Sequence, residues 1–380
     1  MKIRMQVLSV AWMLAALVSA SVSSAAEPGS LSDERPSSRK LVFSQPLLSA
    51  DEAVKKQTRE QSTRLFGLLG AMDEFQCRVS KECFVQPSLG AIGSDAAFQD
   101  VILGVPVYGQ ARVDAQAALT LVPDEDQLTF DLTVVGTVAL KGTGRSQDIQ
   151  IRTDTLVDFT ATKRIQMNHE GLIAGPTECD AKAAITTKGI NSVRPKFLGK
   201  FSEKIAQRRS ATSKDEAEAE CAEHVADAVI ERLDEEVNGF LTIVNTSLAE
   251  HMEKSAPDAQ ARWAEIRFVT DDDWAHIGRA AAGKELPEFT AMSNGRTVSP
   301  IVLQLPRARL DANVVLTGLR CLQKDSAQPA ASSHVADRQP VKFRPVVELG
   351  QDTIIIRLEF DHPAPKLAQD QPVVAASSMP

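Results

Sequence analysis

Apolar and polar residues alternate along much of the first half of the chain, and the period then lengthens. Leu128, Phe130, Leu132 and Val134 alternate with Thr129, Asp131 and Thr133. A period of two places one apolar row on one face of a strand. Lys141–Gly142–Thr143–Gly144 predicts a reversal, since glycine takes positive φ without penalty. Ile149 and Ile151, then Val157, Phe159 and Ala161, then Ile165 and Met167 continue the row. Asn168–His169–Glu170–Gly171 reads as another reversal, followed by a last row of Cys179, Ala181, Ala183 and Ile185. Upstream, Val105, Val107, Val113, Ala115, Ala117, Leu119 and Leu121 predict one or two strands turned near Tyr108–Gly109, after a loop over 86–100. Together these runs predict a curved antiparallel sheet with one dry face.

Past Pro195 the period is helical. Lys196, Lys200, Lys204 and Arg208 recur four apart as a basic stripe beside the apolar Phe197, Phe201 and Ile205. Ser213 reads as an N-cap, with Glu216 as its capping-box partner. Cys221, Val225, Ala228, Leu233, Val237, Phe240, Val244 and Leu248 mark the apolar stripe of a long helix. Its first half carries Asp215, Glu216, Glu218, Glu220 and Glu223, which suit the positive end of a helix dipole. The expected fold is α+β, a curved antiparallel β-sheet packed against a long amphipathic helix. The basic stripe is either a site for phosphate, an anionic glycan or a lipid headgroup, or a solvated face paired with the acidic helix.

The flanks add less. A helix is expected over 49–75, and strands over 266–270, 297–305, 341–347 (broken by Pro345) and 354–360. Asp271–Asp272–Asp273–Trp274 reads as an acid-rich helix start with Trp274 packed below, because a calcium loop needs spaced oxygens and a turn glycine. The domain scheme is a core over 49–254 and a second β-rich part over 263–361 packed on it. Segments 27–48 and 362–380 are polar or proline-bearing and lack core patterning.

Composition narrows the setting. Lys2 and Arg4 precede an apolar run over 7–20, and Ser24 and Ala26 suit a cleavage site, so residues 1–26 read as a secretory signal peptide. Removing them takes the net charge from −8 to −10. An acidic chain without a broad basic surface is a poor nucleic-acid binder, and no later run is long and apolar enough for a transmembrane span. The protein is expected in the periplasm or outside the cell. There the five cysteines make a Cys77–Cys83 disulfide reasonable. Cys179 and Cys221 are the next pair, although Cys221 also suits a buried thiol.

The motifs of common chemistries are missing. There is no nucleophile elbow, zinc-protease helix, phosphate-cradling loop or dinucleotide loop, and the six histidines have no metal-like spacing. No cofactor or metal site is expected. His224 beside Glu220 is either a titrating switch or an ordinary helix-surface histidine.

Several short motifs stand in order: Val135–Gly136–Thr137, Gly142–Thr143–Gly144–Arg145, Phe159–Thr160–Ala161–Thr162–Lys163–Arg164–Ile165, and Lys204–Ile205–Ala206–Gln207–Arg208–Arg209. Over about 131–245 the chain resembles a family of secreted, uncharacterised proteins from planctomycete bacteria, a resemblance that implies no activity, cofactor or site. A long helix on a curved antiparallel sheet is also similar in architecture to the tubular lipid-binding proteins, where alternate strand residues line an apolar tunnel. The function classes are thus a non-enzymatic envelope protein with a protein partner, a periplasmic carrier of a lipid or other apolar ligand, and a hydrolase with an unrecognised site.

Overall fold

The computed structural model describes residues 59–60, 62–63, 74–81, 91–146, 149–192, 204–208, 210–280, 301–306, 343–349 and 353–360. The segment read as a signal peptide (1–26), most of the helix expected over 49–75, Cys83, Lys196 and Lys200 lie outside them. Strands β1 (Phe75–Ser80), β2 (Ala91–Ile102), β3 (Val105–Val122), β4 (Leu128–Ser146), β5 (Ile149–Asn168) and β6 (Gly171–Ser192) come first. Helices α1 (Lys214–Lys254) and α2 (Pro257–Ala264) follow. Strands β7 (Arg267–Thr270), β8 (Trp274–Arg279), β9 (Ile301–Pro306), β10 (Phe343–Leu349) and β11 (Thr353–Phe360) complete the order.

A five-stranded antiparallel meander, β2-β3-β4-β5-β6, forms a half-barrel, and α1 lies in its opening. The alternating rows face inward as the sequence predicts: Leu128, Phe130, Leu132, Val134, Val157, Phe159, Ala161, Ile165 and Met167 are all buried. The helix presents Cys221, Val225, Ala228, Val229, Leu233, Val237, Leu241, Val244 and Leu248 to that core. Leu241, not Phe240, takes the deep position; Phe240 is only partly buried at the margin. Inner-row residues are small over the middle of the sheet (Ala115, Ala117, Ala161 and Ala183), and all four are buried.

A second, six-stranded sheet in the order β10-β11-β9-β1-β8-β7 shares this core. The sheets meet where Asp124 and Thr270 exchange two backbone hydrogen bonds of 2.8 Å. Thr129 N–H also donates to Thr270 Oγ1 at 2.9 Å. Trp263 of α2 plugs this end, its Nε1–H donating to the His169 carbonyl at 2.6 Å. Pro345 sits in β10, an edge strand, where a missing N–H is tolerated.

Several expectations need correction. β3 is unbroken at Tyr108–Gly109, and residues 91–100 are strand rather than loop. The reversal lies instead at Leu103–Gly104, both at positive φ (48° and 74°). That is the conformation of a two-residue hairpin whose twist matches the strands, and a leucine there hides it from composition. Lys141–Gly144 does not turn either, because β4 stays paired with β3 to Gly144 and with β5 to Ser146. Asp271–Asp273 is the β7–β8 turn, not a helix start. The Asp271 carboxylate accepts the N–H groups of Asp273 (2.8 Å) and Trp274 (2.6 Å), the same bonding that caps a helix. Phe75 opens β1 rather than closing a helix. Ser213 stands at the N-cap of α1 but makes no side-chain cap bond, so no capping box forms.

Candidate functional site

The helix is fastened to both free edges of the half-barrel. On the β6 edge, Asn245 accepts from Leu172 N–H (2.8 Å) and donates to its carbonyl (2.7 Å), standing in for a neighbouring strand. Gly171, at φ +133°, leaves room for this, since a Cβ there would lie 2.7 Å from Asn245 Oδ1. Further along, Glu218 Oε1 accepts the Ile185 N–H at 2.7 Å. On the β2 side, Glu220 Oε2 accepts the Leu103 N–H at 2.7 Å. His224 Nδ1–H donates to Asp100, whose oxygens lie 2.9 and 3.1 Å away. The Asp100 side chain is 3% exposed and that of His224 12%, so this is an interior pair.

The interior is not filled along its whole length. From Val225 to Leu248 helix side chains occupy it, as the buried stripe shows. Toward the other end both walls shrink. Ahead of α1 the chain offers Ala206, Ser210 and Ser213 beside the larger Ile205 and Gln207, α1 itself offers Ala217 and Cys221 with Lys214 at its start, and β4 offers Gly142 and Gly144. A cavity of about 1170 Å³ opens there between the sheet and the helix. It exceeds the roughly 300–1,000 Å³ of ordinary small-molecule pockets. Phe98, Leu140 and Cys221 are its buried apolar members, and Asp100 and Thr155 are buried polar ones. Ile102, Val105, Val107, Ile149, Ile151, Ile185 and Ile190 line it half-buried, and Leu103 and Ile205 are exposed. The inner apolar rows thus continue into a space that nothing from the helix fills. Neither glycine is free to grow: a Cβ on Gly142 would lie 2.8 Å from Val107 Cγ1, and one on Gly144 3.3 Å from Val105 Cγ1.

No family model matches the chain, and no curated protein matches it. Among solved structures, the crystal structure of lipopolysaccharide binding protein is similar over 62% of this chain and 58% of that one, at 10% identity and a TM-score of 0.23. The chain therefore spans less than two thirds of that protein, and a likeness of this size carries no argument. The planctomycete-family resemblance stands on its motifs alone.

The residues singled out from sequence fall mostly beside the cavity rather than in it. Lys204 and Arg208 are exposed on a helical segment over 204–208. They flank the lining residues Ile205, Ala206 and Gln207 but do not line the cavity themselves. Cys77 is a buried free thiol in β1, and its proposed partner Cys83 lies outside the described residues. Cys179 and Cys221 are both free thiols, so that pairing is not made. Burial pushes the Cys221 thiol up to about 12, with Asp100, Glu218 and Glu220 adding to it. At neutral pH it is a protonated thiol and not a nucleophile. Among the described residues no three His, Cys, Asp or Glu side chains converge as a metal site. Sequence reasoning paired His224 with Glu220; its partner is Asp100, 124 residues away. Asp100 falls at an inward position of β2, a signal that appears only once 91–102 is recognised as a strand.

Proposed function

We propose that this protein binds an apolar small molecule, of lipid type, in the end cavity of the half-barrel, and that it does so as an exported, non-enzymatic carrier. One observation carries the reading: the inward rows of Ile, Val and Leu run on past the buried stripe of α1 into open volume. An apolar guest would gain about 0.8 kcal/mol for each methylene it buries there. An envelope protein with a purely structural role has no need of such a space. The hydrolase reading gains no support from Cys221, the sulfur nucleophile lining the site, which burial keeps protonated.

The test is native mass spectrometry of protein purified from an envelope fraction, beside an Ala217→Phe variant that fills the cavity. A co-purifying lipid on the parent chain, lost in a variant with the same melting temperature, is the expected result. A parent chain that carries no apolar molecule and takes up none from a lipid extract would overturn the reading. Sequencing of the mature N-terminus, expected near Glu27, tests export.

A further inference from the structure

We infer that the cavity selects an uncharged amphiphile, with its apolar body inside and a hydroxyl- or ester-bearing head at the mouth. The inference rests on the proposed function and names the ligand class for that site. Its buried lining is mostly apolar, with Phe98, Leu140 and Cys221 beside Thr155 and an Asp100 carboxylate already paired with His224. Its polar members toward the strand ends are mostly neutral: Ser146, Thr153, Thr187, Gln207, Ser210 and Ser213. Thr187 and Ser210 face each other across the mouth, Oγ1 to Oγ 3.5 Å, joining β6 to the helical roof. That spacing is loose for a hydroxyl pair, so both oxygens retain capacity for a third hydroxyl or a carbonyl.

Charge at the rim is already spoken for. Lys188 lies 3.3 Å from Asp154, and Lys214 lies 3.5 Å from Glu218. Glu218 and Glu220 also accept backbone N–H groups, and Asp100 is held by His224. The lining lysines therefore bring their own carboxylates. An anionic head would have to displace Asp154 or Glu218 to reach a lining lysine, and a cationic head would have to compete with those lysines for the same carboxylates. A β-bulge sets this rim. One extra β6 residue faces the step between Arg152 and Thr153, so that Thr187 stays inward while Gly189 and Ile190 realign with β5. Bulges re-aim side chains in this way.

The experiment measures binding of a monoacylglycerol, the fatty acid and the alkylamine of one tail length to the full mature chain at neutral pH, by displacement of a fluorescent apolar probe. The monoacylglycerol is expected to bind about tenfold more tightly than either charged probe. In a Thr187→Val/Ser210→Ala variant that preference is expected to fall away while the fatty acid binds as before, since the hydroxyls that the uncharged head would bond are gone. A fatty acid that binds as tightly as the monoacylglycerol, or more so, overturns the inference and leaves the carrier reading standing. Failure of all three probes and of the fluorescent probe overturns the carrier reading itself.

Discussion

Lys163 Nζ lies 2.5 Å from Asp234 Oδ1, and this pair joins an inward lysine of β5 to the middle of α1. Lys163 is 2% exposed. It also donates to the Gly175 carbonyl at 2.9 Å, freed by the bulge at Gly175–Pro176, while Thr177 hydrogen-bonds the same Asp234 oxygen. A charge at a core position persists only with such a set of partners.

Asp234→Ala should therefore destabilise the fold. Breaking a fully buried pair costs about 3–5 kcal/mol. Because the Asp234 side chain is 37% exposed, water compensates in part, and about 1–3 kcal/mol is expected. Urea unfolding measures it. Lys163→Met combined with Asp234→Leu should recover most of the loss, and a double variant no better than Asp234→Ala would show the pair is not the cause.

The register of α1 is tested at neighbouring positions. Leu241→Ala removes a buried side chain and should cost about 2–5 kcal/mol. Phe240→Ala, at the margin of the core, should cost less, about 1–2 kcal/mol, although the ring is larger. The reverse ranking in thermal melts would rotate the helix.

Asn245→Ala strips both partners from Leu172 and should cost about 1–3 kcal/mol. The sharper readout is hydrogen exchange. The Leu172 amide should lose protection while the β4–β5 amides, which pair with each other, keep theirs. Unchanged exchange at Leu172 would mean that water had replaced the side chain without penalty.

Stability should fall in two stages as pH drops. Burial holds the His251 and His276 imidazoles below their usual range; for His276 burial, helped by the nearby Arg78, outweighs the raising effect of the Asp271 hydrogen bond. A histidine with a depressed folded pKa penalises folding once the unfolded chain protonates, so the first decline starts below about pH 6.5. Burial alone would raise the Asp124, Asp234 and Asp271 carboxyls, but their hydrogen bonds outweigh it and hold all three below the usual range. Their contribution is complete above about pH 4 and is lost as pH falls through the depressed values. A melting-temperature series against pH should show both steps, and His276→Gln should flatten the first.

Burial also raises Cys77 to about 12 and Cys179 to about 11. With Cys221 they should be silent to thiol reagents in the native state and react on unfolding. Fast native labelling at any of them would show local opening there.

Much of this architecture can be read from periodicity. The rows from Leu128 to Ile185 and the α1 stripe from Cys221 to Leu248, with Leu241 in place of Phe240, face inward, because a one-residue slip of a strand would turn a whole row to water. What periodicity missed was local or distant. Leu103 gives no compositional sign of a turn, and Gly142 and Gly144 mimic one while serving as small wall positions. Asp271 uses one bonding pattern that serves turn and helix alike. Lys163 interrupts the β5 row, and a lysine at that parity is itself a sign that an acid must come to meet it. The cavity was legible only as the run of small residues Ala206, Ser210, Ser213 and Ala217, whose meaning depends on what lies opposite.

A barrel is usually sealed by its own ladder, strand to strand, and such a seam opens along its length or not at all. Here the seam is a rod tied by separate side chains: Asn245 and Glu218 to one margin, Glu220 and His224 to the other. Each tie can be exchanged without unpicking the next. The bore of the molecule is therefore a property of one removable wall, adjustable residue by residue while the sheet that frames it stays as it is.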